Sequence, residues 1–494
     1  MKIRIRKLKE SLVSQMIAIV LFRKGGFFAA FILFFMIVAA SSQRLYSQEE
    51  NSEIKNGENY GHDKENINKL SWNGLPLISY NSDDGFGYGA RVYATSYKKG
   101  YAPFKWQTWA QYYKTTKKRE NHEVYFDLVE GPGIPFRIRL NAGYARYQSA
   151  QYYGYGNYQN IQRNQKIVNG EVAVVENIPD SPDVYQFSGK LGEEISLNSN
   201  GGINPGRRIL RERQNKFFLY DRVEPFGLAS LSNWISRSNF KWWTAFRSTR
   251  YSIDSYEKDR DDGEAEPNVK TKIDLDQPEG YEALEKARII NLFRAALIYD
   301  SRPREREKNP DRGVYSEIHM AVSGKSIGSH YTFHKTTMIH RQYISLFDDF
   351  FHSRKKELVF AYRLLGQKAV GDAPFFEFGR VYSSFEESEG LGGTYGLRGY
   401  PSNQFVDSVM AMANTELRYT FAHKNWLGGM DWILLGYYDT GRVAPTIREM
   451  NSKGMHIAWG GGIRIVWVKN TIISISSGVS KYESFTAFSF NHMF

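Results

Sequence analysis

Few residues of this chain are of a type that performs covalent chemistry. Cysteine is absent, which removes thiolate nucleophiles, cysteine metal sites and any disulfide framework. Ten histidines are scattered, and the best-spaced pair, His330 and His334, falls at a strand entrance, where it does not present two imidazoles to one zinc ion. Asp259, Asp261, Asp262, Glu264 and Glu266 form an acidic run that lacks the alternating order of a calcium loop and reads as a solvated surface. No nucleophile elbow, phosphate-binding loop or H-E-x-x-H motif occurs. The chain therefore reads as a non-enzyme that uses no metal and no cofactor. Arg398 stands out in another way. It lies within Gly390–Phe421, where glycines at 390, 392, 393, 396 and 399 allow backbone angles closed to other residues. A planar guanidinium held on such a turn can bond two carboxylates at once, which lysine cannot. The chemistry on offer is electrostatic fastening.

The elements around Arg398 follow from periodicity. Directly after the turn, Val409, Ala411, Ala413, Leu417, Tyr419 and Phe421 alternate with Asn414, Glu416 and Arg418, the pattern of a two-faced strand. Far upstream, Phe136, Ile138, Leu140, Ala142 and Tyr144 alternate with Arg137, Arg139, Asn141 and Gly143, and a slip of one residue would push two arginines into lipid. Eleven strand-length runs lie between Leu75–Asn81 and Glu357–Val370. Five more follow the glycine-rich turn, from Ser408–Phe421 to Glu483–Phe494. In Met430–Gly441 both faces are apolar, and only Asp439 sets which face turns inward. Sixteen is an even number, as a closed single-chain barrel of antiparallel strands requires. A mean hydropathy of −0.51 with 15% aromatics fits a barrel with a polar lumen and aromatic girdles, whereas no blade-length repeat marks a propeller. The expected fold is thus all-β, a 16-stranded antiparallel transmembrane β-barrel over residues 74–494. Ser149–Asn215 and Ser252–Arg288 are long and charged, while Lys98–Pro103 and Gly131–Pro135 are short, which places the two long connections on the extracellular side.

Residues 27–40 are apolar or small and too few to span a membrane, which takes about 20. They read as the core of a secretory signal peptide, residues 1–48 with cleavage near 40–48, with Met16 as an alternative start. Residues 1–40 hold seven basic groups and one acid. Their loss lowers the formal charge of +12 to +6, so the basic balance argues little for nucleic acid. Residues 49–73 are polar and aperiodic and read as a periplasmic linker.

Leu397-Arg398-Gly399-Tyr400, with the glycines before it, Asn414-x-Glu416-Leu417-Arg418 after it and GYYDTGRV at 436–443, resembles the BamA/TamA-type superfamily of outer-membrane barrels. Tyr152-Tyr153-Gly154-Tyr155-Gly156-Asn157 and Tyr299-Asp300-Ser301-Arg302 with Pro310-Asp311-Arg312-Gly313 resemble two further stretches of that superfamily. The resemblance implies that the turn is extracellular loop 6, folded into the barrel, with Arg398 pairing with Glu416 and Asp439. The strand pattern agrees in placing Glu416 with Asn414 and Arg418 on the lumen face. It also implies that Phe488, Phe490 and Phe494 form a C-terminal assembly signal, which would make the chain a client of the barrel-assembly machinery; His492 departs from the usual apolar residue. The 25-residue linker is shorter than the ~50 residues of a folded domain, so the POTRA domains of most members are expected to be missing. The first strand, Leu75–Asn81, is short and contains Pro76, so the seam with the last strand should hold few hydrogen bonds. The implied function is insertion or translocation of polypeptides, in outer-membrane protein assembly or secretion or as a subunit of an outer-membrane complex. A gated or passive pore is the alternative, and an outer-membrane enzyme a weaker one. Implied partners are outer-membrane lipid and client polypeptides or partner lipoproteins, without nucleic acid.

Overall fold

In the computed structural model the described residues run from 69 to 490, apart from 99–103, 130–135, most of 158–217, 256–270 and runs of one to five residues in other turns. The expected signal peptide, most of the expected linker, the acidic run at 259–266, His492 and Phe494 lie outside them.

Alternation builds the strands. They are β1 (Lys69–Asn81), β2 (Gly85–Tyr97), β3 (Trp106–Thr115), β4 (Arg119–Leu128), β5 (Arg137–Gln151), the short pair β6 (Lys166–Val168) and β7 (Glu171–Ala173), β8 (Leu219–Trp234), β9 (Phe240–Ser255), β10 (Arg288–Asp300), β11 (Gly313–Ser323), β12 (Phe333–Ser345) and β13 (Glu357–Gly371). After these come the short pair β14 (Arg380–Tyr382) and β15 (Glu387–Glu389), then β16 (Val409–Lys424), β17 (Met430–Ala444), β18 (His456–Trp467), β19 (Thr471–Ser480) and β20 (Ser484–Phe490). Without the two short pairs, sixteen strands pair in sequence order and β1 meets β20, so the sheet closes as an antiparallel barrel. One compact unit comprises Glu65–Ala422 and Trp432–Phe494; the tip His423–Asp431 falls outside it and carries its own ion pair, His423 with Asp431.

Facing follows the two-residue period. On β5, Leu140 is 47% exposed on the lipid side, while Arg137 and Arg139 turn inward to Asp127 on β4 at 2.5 and 3.3 Å. On β17, Leu434 and Tyr438 are exposed, and Ile433, Leu435, Tyr437 and Asp439 are buried.

Two expected boundaries are corrected. The first strand begins at Lys69, not Leu75, so five residues assigned to the linker belong to the barrel. Their partners, from Tyr97 at Lys69 to Tyr93 at Asn73, continue the ladder to β2 without interruption, and Pro76 sits opposite Ala90 within it. The sequence pattern gives one of the eleven runs as Lys216–Leu228, whereas β8 runs on to Trp234, because the alternation continues against β5 as far as Ser232 opposite Arg137.

The connections 152–218, 256–287 and 372–408 leave the same rim of the barrel, since each joins strands at the same ends. The second carries helix α1 (Lys272–Asp276), opened by a reciprocal capping box between Thr271 and Asp274. The third carries helix α2 (Phe375–Phe378), the β14–β15 hairpin and the glycine-rich turn. Tyr152, Ile273, Phe375, Phe376 and Tyr382 from these connections pack with Tyr220, Tyr251, Ile290, Leu292 and Phe333 from the strands into one buried core at that rim.

Candidate functional site

The glycine-rich turn lies against inward-facing strand residues. Leu391, Leu397, Tyr400 and Phe405 form a buried cluster with Ile339, Leu365, Met410, Met412, Val443 and Ala458. Apolar burial draws the turn in, and each buried apolar side chain contributes on the order of 1.5–3 kcal/mol. At its tip Arg398 meets both acidic residues. Its Nη1 donates to Glu416 Oε1 at 2.5 Å, and its Nε and Nη2 donate to Asp439 Oδ2 and Oδ1, both at 2.8 Å. The backbone N–H of Arg398 adds a bond to Asp439 Oδ2 at 3.2 Å. The guanidinium stacks over the Tyr437 ring at 3.6 Å. Burial by itself would lower the arginine's pKa, but the Asp439 and Glu416 carboxylates outweigh it and hold the group charged, above its ordinary value.

Glu416 is shared among cations. Arg464 reaches both its oxygens at 2.8 Å, and Arg418 donates to Oε2 at 2.8 Å. Asn414 joins the turn to the wall: its Nδ2 donates to Gly396 O at 2.9 Å and to Asp439 Oδ1 at 3.0 Å, and its Oδ1 accepts from Arg363. Glu416, Asp439, Asn414 and Arg398 are each no more than 2% exposed. Such a cluster is costly to desolvate and tolerable because the charges and lone pairs find partners.

Sequence reasoning missed a second fastening of the same loop. Glu387, at the start of β15, is gripped by Arg247 of β9, by Arg294 of β10 at 2.5 Å and by Arg380 of β14 at 3.4 Å. Burial opposes its ionisation, yet Arg247, Arg294 and Arg380 hold its carboxyl well below the usual range. Glu377 of α2 accepts from Tyr382 at 2.8 Å and faces Lys335 of β12 at 3.4 Å. Nothing local marks Glu387 among its acidic neighbours; its three arginines come from strands far apart in sequence. Gly478 was also missed, although a glycine inside a strand does signal a close backbone approach.

The other motif stretches fall in two places. Asn157 crosses to the β17–β18 side: its Oδ1 accepts from Val443 N at 3.0 Å, its Nδ2 donates to Gly454 O at 2.7 Å and its carbonyl pairs with His456 Nε2 at 2.7 Å. Gly156 N donates to Val406 O at 2.9 Å. Asp300 and Arg302 pair side by side at a short turn on the opposite rim, with Nη2 to Oδ2 at 2.9 Å. Phe488 is buried on β20, and Phe490 stands opposite Ile473 of β19 in the same ladder. His330 bonds the Ile289 backbone through Nδ1, and among the described residues no three His, Asp or Glu side chains are grouped to hold a metal.

At the seam, β1 and β20 share two register pairs among the described residues, Tyr80 with Phe488 and Asn81 with Ala487. The thin seam does not come from a short first strand, because β1 has 13 residues. Among the described residues β1 meets β20 at its last two positions, the offset that strand stagger produces.

An Omp85 superfamily domain matches residues 224–473. No curated protein matches the chain. Solved structures that resemble it include BamA from Haemophilus ducreyi lacking POTRA domains 1–3, at 12% identity and a TM-score of 0.50, covering 86% of this chain and 70% of that one. CdiB from Acinetobacter baumannii, at 12% identity and a TM-score of 0.44, covers 86% of this chain and 60% of its own. CdiB from Escherichia coli, at 8% identity and a TM-score of 0.46, covers 85% and 62%. At these identities the likeness extends to the fold alone.

Proposed function

We propose that this chain, which belongs to the Omp85 superfamily and is a barrel of the bacterial outer membrane, inserts or translocates client polypeptides in outer-membrane protein assembly or secretion. The observation that carries the reading is the seam. Fifteen strand junctions of the barrel run through hydrogen-bonded neighbours in sequence order, while the sixteenth, among the described residues, rests on Tyr80 with Phe488 and Asn81 with Ala487. Each ladder hydrogen bond is worth about 0.5–1.5 kcal/mol net, so this is the junction that parts at least cost. Once parted, it offers the unpaired backbone edge of β1, the kind of edge to which an extended strand adds. The loop packed against inward-facing strand residues fits the same role better than that of a passive pore, since it would narrow the path of solutes.

Within this reading, export through the general secretory pathway, maturation by the barrel-assembly machinery through Phe488, Phe490 and Phe494, a mature chain of linker plus barrel, and work with partner lipoproteins are further parts of the proposal. The test exploits the absence of native cysteine. A Tyr80→Cys/Phe488→Cys pair should oxidise across the seam without side reactions, and locking should abolish client assembly or secretion in the native host, with recovery on reduction. Equal client output from locked and reduced protein would end the reading.

A further inference from the structure

The segment Arg398–Ser402 crosses the seam on the inside of the barrel. On one side it is bound to the strands before the seam: Arg398 to Asp439 and Glu416, and Tyr400 OH to the Ile457 carbonyl of β18 at 3.2 Å. The Arg398 carbonyl lies so close to β19 that a β-carbon on Gly478 would stand 1.8 Å from it. On the other side, four residues on, Ser402 N donates to Asp83 Oδ2 at 2.7 Å, and Asp83 belongs to the turn between β1 and β2. Glu389 of β15 reaches the same side through Arg119 of β4 at 3.8 Å, and Arg119 holds Asp84 at 2.6 Å.

We propose that this segment is a clasp across the seam with unequal ends, one that stays fastened at Arg398 and lets go at Asp83. The inequality is visible in the bonds. The Arg398 end has three charge-assisted side-chain bonds in a buried site, the class of hydrogen bond that is shortest and strongest. The Asp83 end has bonds from the backbone and hydroxyl of Ser402, both neutral donors, to the Asp83 and Glu389 carboxylates, and one long ion pair. It also borders a cavity of about 130 Å³ lined by Asp83, Asp84, Arg119, Glu389, Ser402 and Asn403, which leaves that end room to separate and polar groups for water to bind. When the seam parts, β1 and β2 therefore leave, and the loop remains with β16–β19. Asp83 and Ser402 act as positioning residues for the closed seam. The clasp concerns how the seam parts and not what uses it, so its failure would leave the functional proposal standing, and the reverse holds as well.

The test places nitroxide pairs on the full chain in proteoliposomes without client and reads distances by double electron–electron resonance. The sites are Tyr88→Cys on the lipid face of β2, Ile463→Cys on the lipid face of β18 and Thr394→Cys on the loop. With Asp83→Ala, the Tyr88–Ile463 and Tyr88–Thr394 distances should lengthen by about one strand spacing, roughly 5 Å, and the Thr394–Ile463 distance should not change. An unchanged Tyr88–Ile463 distance overturns the proposal, as does a Thr394 label that follows Tyr88. If Asp83→Ala does not give a heat-modifiable barrel, Asp83→Asn, which keeps the size and removes the charge, is measured against the same criteria.

Discussion

The carbonyl oxygen of Arg398 and the α-carbon of Gly478 are in such close approach that a β-carbon added at Gly478 would lie 1.8 Å from that oxygen. The clash is with backbone, which cannot swing away as a long side chain can. Gly478→Ala should therefore lift the loop tip off β19. The expected outcome is new cleavage within residues 390–403 by protease added outside intact cells, with heat-modifiable mobility of the barrel unchanged. Gly436→Ala is the control, because a β-carbon there meets nothing within 4 Å.

Removing the arginine itself should act unequally on its two partners. Glu416 keeps Arg418 and Arg464, whereas Asp439 keeps only Asn414 among its side-chain partners at this cluster. Arg398→Ala should cost about 3 kcal/mol of loop docking, the low end for breaking a buried pair, and raise the protease-accessible fraction of the loop about a hundredfold. Arg398→Lys should recover only part of this, since an ammonium cannot bond both oxygens of Asp439 in one plane. Equal protection of Arg398→Ala and the unsubstituted chain would show that apolar packing alone holds the loop.

Acidification should leave the loop docked. Glu387 has its carboxyl depressed by three arginines, so the stability it contributes is present above its unfolded pKa and lost only when pH falls below the ordinary carboxylate range. Burial pushes Glu389 and Asp83 upward instead. Ionising them costs more in the fold than in the unfolded chain, and that penalty lessens as pH falls toward their folded pKa. Protection of the loop from protease at pH 5.5 should equal or exceed that at pH 7.5, and a loss over that window would contradict the assignment of Glu387 as an anchor.

Asn157→Ala should free the first long connection from the β17–β18 side. It removes the acceptor for Val443 N and the donor for Gly454 O, and an unsatisfied buried backbone group costs about 1–3 kcal/mol. Hydrogen exchange at the Val443 amide should quicken by roughly tenfold or more, 1.4 kcal/mol being a factor of ten, while amides in the middle of β5 stay as they were.

The barrel was legible in the sequence because its cause is local. A strand between lipid and a polar lumen must alternate, so Phe136–Tyr144 and Val409–Phe421 announce their faces without reference to any neighbour, and sixteen such runs suffice for closure. The same parity turns Glu416 toward the lumen, whereas Met430–Gly441 is apolar on both faces and only the charge of Asp439 marks which one turns inward. What only the tertiary structure decided was which distant residues meet there. Arg464 joins Glu416, and Arg247, Arg294 and Arg380 converge on Glu387, because closure brings β9, β10, β18 and the loop to a common interior, and no local pattern records that convergence. The seam shows the same division. Sequence pointed to few bonds between the first and last strands and gave strand length as the reason, whereas β1 has 13 residues and, among the described residues, pairs with β20 at two of them. The number of pairs at a closing junction is set by the stagger accumulated around the whole barrel, a sum over every register in it, so it takes a value only when the circle is complete.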